Sequence, residues 1–201
     1  MVYWLARLIL FILTRTIIPL TVVGREHIPP DRRCILASNH RSYLDPCLIG
    51  YSLPYRISYI ARDSLYESKI LGFLLRQLWA YPIRRDYADF RAIRETFRRL
   101  KNGHTILIFP EGTRVEREFS KEPEPGIGLI AAKSKVPVIP VYIEGTQKAL
   151  PPKAKVLKYS PIKIVFGRPV GYSSTDSASV ITHKIIEAIY ALARQEDTAF
   201  R

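Results

Sequence analysis

Residues 34–46 read CILASNHRSYLDP, and the change of character halfway along this stretch decides the fold. Cys34–Ala37 is a short apolar run of the strand type. It gives way to Ser38, Asn39 and His40, which places a histidine at the carboxyl end of a strand, where sites of α/β proteins lie. Asp45-Pro46 follows and reads as a helix start, with Asp at the cap and Pro at the first helical position. A strand, a polar turn and a helix form the repeating unit of an α/β protein.

The same alternation runs through the rest of the chain. Further strand-like runs are Ile57–Ala61, Thr105–Phe109, Val138–Ile143 and Ile162–Phe166. Helical periodicity appears at Ser68–Trp79, Tyr87–Leu100, Gly126–Ser134 and Ala178–Arg194. The prediction is an α/β fold, a mixed, mostly parallel sheet flanked by helices. The chain has 201 residues, 47% apolar and 24% charged, enough for one domain with a core and unlike a disordered chain. Val115–Pro125 reads as a long loop within that domain, because apolar strands flank it closely. Gly126-Ile127-Gly128-Leu129-Ile130-Ala131 fits a GxGxxA dinucleotide pattern, but Lys121–Pro125 before it cannot be the buried strand that pattern needs. Close helix packing accounts better for these glycines.

Residues 1–24 stand apart from residues 25–201. The N-terminus is apolar, yet Arg7 and Arg15 interrupt it, leaving charge-free runs only at Leu8–Thr14 and Thr16–Gly24. These fall short of the roughly 18 residues of a spanning helix. Arg7, Thr14 and Ile18 share one narrow side of a helix, the apolar residues face elsewhere, and Tyr3 and Trp4 lie at the start. That pattern suits a helix lying in a membrane interface, with a core-capping helix as the alternative.

Charge narrows the partners. Lys and Arg number 31 against 18 acids, a net +13, which calls for anionic partners. The first 101 residues hold 17 basic and 8 acidic residues, so the excess sits in the half that also holds the apolar N-terminus. Within Tyr87–Leu100, Phe90, Ile93, Phe97 and Leu100 should face the core, while Arg91, Arg94 and Arg98 form a second stripe. RNA binding would interleave aromatics with these charges. An anionic phospholipid membrane is favoured over nucleic acid, with the protein on its cytoplasmic face. Two cysteines and four scattered histidines make neither a disulfide framework nor a metal site, so a reducing compartment is expected.

Two turns carry candidate chemistry. His40 and Asp45, five residues apart, can form a histidine oriented by a carboxylate, the general-base arrangement. In the second, strand Thr105–Phe109 ends in Pro110-Glu111-Gly112-Thr113-Arg114. Gly112 admits close backbone approach, Thr113 offers a hydroxyl and an N–H, and Arg114 offers a planar fork for phosphate. Glu111 could meet substrate hydroxyls or orient an arginine.

Asn39-His40 with Asp45, and Phe109–Arg114, resemble the first and third blocks of the glycerolipid acyltransferase family, of the bacterial 1-acyl-sn-glycerol-3-phosphate acyltransferase type. Tyr81-Pro82-Ile83-Arg84-Arg85 is similar to the second block, and Val136–Val141 to the fourth. Val115 and Glu124-Pro125-Gly126 depart from the residues commonly found there. The resemblance implies a membrane-associated O-acyltransferase that needs no cofactor. An acyl thioester, acyl-coenzyme A or acyl-acyl-carrier-protein, would be the donor and a lysophospholipid the acceptor. His40 and Asp45 would be catalytic, while Arg85, Glu111, Gly112, Thr113 and Arg114 would bind substrate. Acyl transfer to another lysophospholipid or to glycerol-3-phosphate stays open, as does a non-catalytic module binding anionic membrane or RNA.

Overall fold

The computed structural model describes residues 1–84, 89–112, 126–151, 154 and 156–199. The loop expected over Val115–Pro125 lies outside them. The strands are β1 (Leu20–Val23), β2 (Ile35–Ser38), β3 (Ser58–Arg62), β4 (Ala80–Ile83), β5 (Ile106–Ile108), β6 (Val138–Glu144) and β7 (Ile162–Phe166). The helices are α1 (Val2–Thr16), α2 (Asp45–Tyr51), α3 (Lys69–Gln77), α4 (Phe90–Lys101), α5 (Gly126–Ser134), α6 (Thr146–Ala149) and α7 (Ala178–Ala199). The strands form one sheet in the order β1-β7-β6-β2-β5-β3-β4. From β6 to β4 all neighbours are parallel; β7 runs antiparallel to β6, and β1 runs parallel to β7. The expected mixed, mostly parallel sheet is present.

The central strands are buried on both faces, and their side chains alternate between two cores. Ile35, Ala37, Ile106, Ile108 and Val138 pack against Leu100 of α4, Ile127 and Ile130 of α5, and Ile181, Ile185 and Ile189 of α7. Leu36, Leu107, Ile139 and Val141 pack on the other face against Leu48 and Ile49 of α2 and Leu10 and Leu13 of α1. The crossover after β2 runs through α2 toward the β4 edge, whereas that after β5 runs through α5 toward the β1 edge. Adjacent parallel strands whose crossovers leave in opposite directions open a crevice at their carboxyl ends. Both candidate turns emerge there.

Segment 1–24, expected as one helix, divides. Helix α1 ends at Thr16, and Leu20–Val23 pair with β7 as an edge strand. Pro19 has no N–H for helix continuation, and the β-branched Thr21, Val22 and Val23 suit a pleated surface. The buried stripe of α4 also differs from expectation. It consists of Ala92, Thr96 and Leu100, while Phe90 is 76% exposed. The Asp89 carboxylate accepts from the N–H of Arg91 and Ala92, so Phe90 is the first helical residue, at the open end of the helix. Thr96 and Tyr81 share a 2.7 Å hydrogen bond in the space a larger α4 side chain would have filled.

Gly128 confirms the packing role expected of the α5 glycines. A Cβ there would lie 1.9 Å from the Ala178 carbonyl oxygen and 2.6 Å from Thr182 Oγ1 of α7, whereas at Gly126 it would meet open space. Gly128→Ala is therefore expected to cost about 1–3 kcal/mol by overpacking, lowering Tm by several degrees, with Gly126→Ala nearly neutral. Differential scanning calorimetry of the two variants checks this; equal melting temperatures would remove the close approach as a stability determinant.

Candidate active site

The register of β2 on β5 pairs Ala37 with Ile108, so the residues that follow leave the sheet side by side. Asn39 does not point outward. Its amide donates to the Ile143 carbonyl and accepts from the Ile143 N–H, both at 2.8 Å, extending the β2–β6 ladder by one side chain. This fixes where β2 stops and the turn begins.

His40 sits in that turn with its side chain 15% exposed. Its Nδ1 lies 2.8 Å from Asp45 Oδ2, and its ring stacks on Phe109 with centroids 4.1 Å apart and planes 22° apart. A carboxylate only accepts, so Nδ1 carries the proton and Nε2 presents its lone pair. Asp45 is fully buried. Its Oδ2 also accepts from the backbone N–H of Arg41 at 2.7 Å and of Ser42 at 2.8 Å, while Oδ1 has no partner. The expected helix start is present one residue earlier than read. Leu44 is the cap and Asp45 the first helical residue, so its carboxylate turns back over residues 40–42 instead of capping α2. A capping carboxylate would have bonded N–H groups ahead of it; three donors behind it compete better.

The second turn is closed by the Gly112 N–H donating to the Phe109 carbonyl at 3.0 Å, with Gly112 at φ 65°, a value that favours glycine. Glu111 points back into the protein. One of its oxygens accepts from the Tyr190 hydroxyl of α7, and the other lies 3.4 Å from the backbone N of His40. Burial pushes its carboxyl above the ordinary value, opposed by these two hydrogen bonds and by the nearby guanidinium of Arg41.

His40, Asp45, Glu111 and Gly112 are thus brought together, and Arg85, Thr113 and Arg114 lie outside the described residues. Four residues to which the sequence reading gave no role join the site: Asn39 as a strand extension and Phe109 as the floor under His40, both quoted there only as parts of the motif blocks, together with Arg41 and Tyr190. Arg41 is half-buried beside Glu111, and its Nε has no hydrogen-bond partner. Its position between His40 and Asp45 was the available signal. Tyr190 gave none, being one apolar position among many on a core helix. Among the described residues, no group of three or more His, Cys, Asp or Glu could hold a metal ion.

Comparison with known proteins identifies the family of the chain. The family model described as Acyltransferase matches residues 19–144, which includes β2, α2, β5 and both turns. A 1-acyl-sn-glycerol-3-phosphate acyltransferase of Bacillus subtilis is 30% identical over 150 residues, covering 74% of this chain and 72% of that one. The protein of that name from Streptococcus pneumoniae is 29% identical over 71% of this chain and 52% of its own length. A chloroplastic relative from Brassica napus is 26% identical, and the chain spans 46% of its length. The crystal structure of the 1-acyl-sn-glycerophosphate acyltransferase PlsC from Thermotoga maritima superposes with a TM-score of 0.68 at 29% identity, covering 88% of this chain and 72% of that one. The family model spans the histidine turn and the switch point of the sheet, and the chain belongs to the Acyltransferase family.

Proposed function

We propose that this chain transfers a fatty acyl group from an acyl thioester to the free hydroxyl of 1-acylglycerol-3-phosphate, giving phosphatidic acid, with His40 as general base. The observation that carries the reading is the Nδ1–Asp45 contact of 2.8 Å, which leaves Nε2 as proton acceptor at the mouth of the crevice. Nε2 takes the hydroxyl proton as the oxygen attacks the thioester carbonyl. The C–S bond then breaks, and the imidazolium returns the proton to the departing thiolate. Asp45 stabilises that imidazolium and holds the tautomer. No protein nucleophile is required, and the sequence contains no GxSxG elbow.

Arg85, Thr113 and Arg114 are assigned to the acceptor phosphate, with Gly112 allowing its close approach, and Arg41 adds positive potential beside Glu111. Holding a dianion at a fixed distance from Nε2 turns binding into orientation of the attacking hydroxyl. The donor is acyl-coenzyme A or acyl-acyl-carrier-protein, and no cofactor takes part.

The acceptor resides in a bilayer, and two helices support adsorption to one. Helix α1 exposes Trp4, Leu5, Leu8, Ile9, Phe11 and Ile12 to between 48% and 66%. Helix α3, packed beside α1, exposes Ile70 to 77% and Phe73 to 54%. Lys69, Arg76 and Arg15 border these apolar faces and suit anionic headgroups. Among the described residues no helix is long and apolar enough to cross a membrane, which fits a helix lying in the interface.

Three measurements test the reading. His40→Ala should lower the rate of transfer by ~10²–10⁴ with the circular dichroism spectrum unchanged, and normal turnover would sink the assignment. Arg114→Ala should raise KM for lysophosphatidic acid by roughly 10- to 100-fold with kcat changed much less, the loss of a charge-assisted hydrogen bond. An unchanged KM removes phosphate binding as its role. Paired Leu8→Ser and Phe11→Ser changes, and separately Phe73→Ser, should each weaken partition onto phosphatidylglycerol vesicles by about tenfold or more. Partition equal to the parent chain would dismiss that helix as an adsorbing face.

A further inference from the structure

Three consecutive backbone N–H groups of the histidine turn are each taken by a carboxylate. Asp45 takes those of Arg41 and Ser42, and Glu111 faces that of His40. Asp45 belongs to the same turn and needs no outside support. Glu111 does, because a 3.4 Å contact is too long to fix its own direction. What holds Glu111 is Tyr190, 79 residues away on α7, whose hydroxyl donates to the other carboxylate oxygen. Tyr190 is itself rigidly held: it is 1% exposed and meets Tyr142 edge-on at 6.3 Å between centroids.

We propose that Tyr190 is a positioning residue for acyl transfer, acting through Glu111 to set the backbone of His40 and so the direction of its ring. The proposal rests on His40 being the base. The contact spans from a helix in the core of one sheet face to a turn at the end of the sheet. Misdirecting a reacting group by about 1 Å can cost 10²-fold in rate, so a buried hydroxyl at this remove can be felt in kcat. A phenol is suited to the task because its ring is packed by the core while its oxygen reaches a polar partner.

The chemistry supplies a readout that packing alone would not move. Burial pushes the Glu111 carboxyl up and the Tyr190 hydrogen bond opposes this, so removing the hydroxyl raises it further. The sign follows: as pH falls, more of the variant's Glu111 is protonated, and a neutral carboxyl holds the His40 N–H less well. Tyr190→Phe should therefore lower kcat, by roughly tenfold at the acidic end of the range in which the parent is active and by less at its alkaline end, with KM for lysophosphatidic acid within about twofold. Because the quantity read is the ratio of variant to parent kcat at each pH, titration common to both cancels.

Glu111→Gln completes the test. The amide keeps a carbonyl acceptor for His40 N and does not titrate, so Tyr190→Phe added to it should cost less than it costs alone, and no more at low pH than at high. Melting temperatures of all variants are measured alongside. The proposal is overturned if Tyr190→Phe retains the parent kcat across the pH range. It is equally overturned if the loss is independent of pH and additive with Glu111→Gln, which would make Tyr190 a packing residue. If His40→Ala proves inactive while Tyr190→Phe is normal, only this inference falls; if His40→Ala stays active, the base assignment falls and this inference with it.

Discussion

One oxygen of Asp45 collects three hydrogen bonds, and the site is built around it. Its donors are the His40 ring and the N–H groups of Arg41 and Ser42, all within 2.8 Å. A fully buried carboxylate is costly unless its charge is met by donors, and here the turn itself meets it. The same three contacts close the turn ahead of α2 and choose the tautomer of the histidine. Loss of Asp45 would therefore unmake a local structure as well as a charge. The second oxygen, without a partner, is the residual cost of that arrangement.

Around this centre the sheet contributes placement. Strands β2 and β5 are short, but each is buried on both faces, so the point at which they end is set by packing on two sides. Asn39 refines it by bonding to both backbone groups of Ile143. Phe109 leaves β5 and becomes the surface on which His40 lies. Core and site are thus continuous.

What the sequence made legible was local. The five-residue spacing of His40 and Asp45, the apolar runs before each turn and the Pro-Glu-Gly turn itself all depend on near neighbours, and the structure brings His40, Asp45, Glu111 and Gly112 together. Contacts made across the chain were not legible. Asn39 meets Ile143 across 104 residues and Glu111 meets Tyr190 across 79, and nothing in either segment's own pattern announces the other. Phe90 shows a further limit. Periodicity places an aromatic on the apolar stripe, but the cap at Asp89 and the small Ala92 and Thr96 turned α4 so that the aromatic faces out. At the N-terminus, uniform apolarity concealed the break at Pro19 between a helix and an edge strand.

The way α1 is fastened has a geometric outcome. Arg7 donates to the carbonyls of Leu53 at 2.9 Å and Tyr51 at 3.3 Å, where α2 ends. Helix α2 begins at Asp45, and seven helical residues rise only about 10 Å. Helix α1 and His40 are therefore linked by one short strut, the helix α2. On the proposed adsorption through α1, the depth to which that helix sinks would set the elevation of His40 above the acyl chains. On the same proposal, a base held at headgroup height would meet a glycerol hydroxyl without the lipid leaving its leaflet. Arg7, which in the sequence looked like an interruption of an apolar segment, is the bolt that fastens α1 to the end of α2 and would hold that elevation constant.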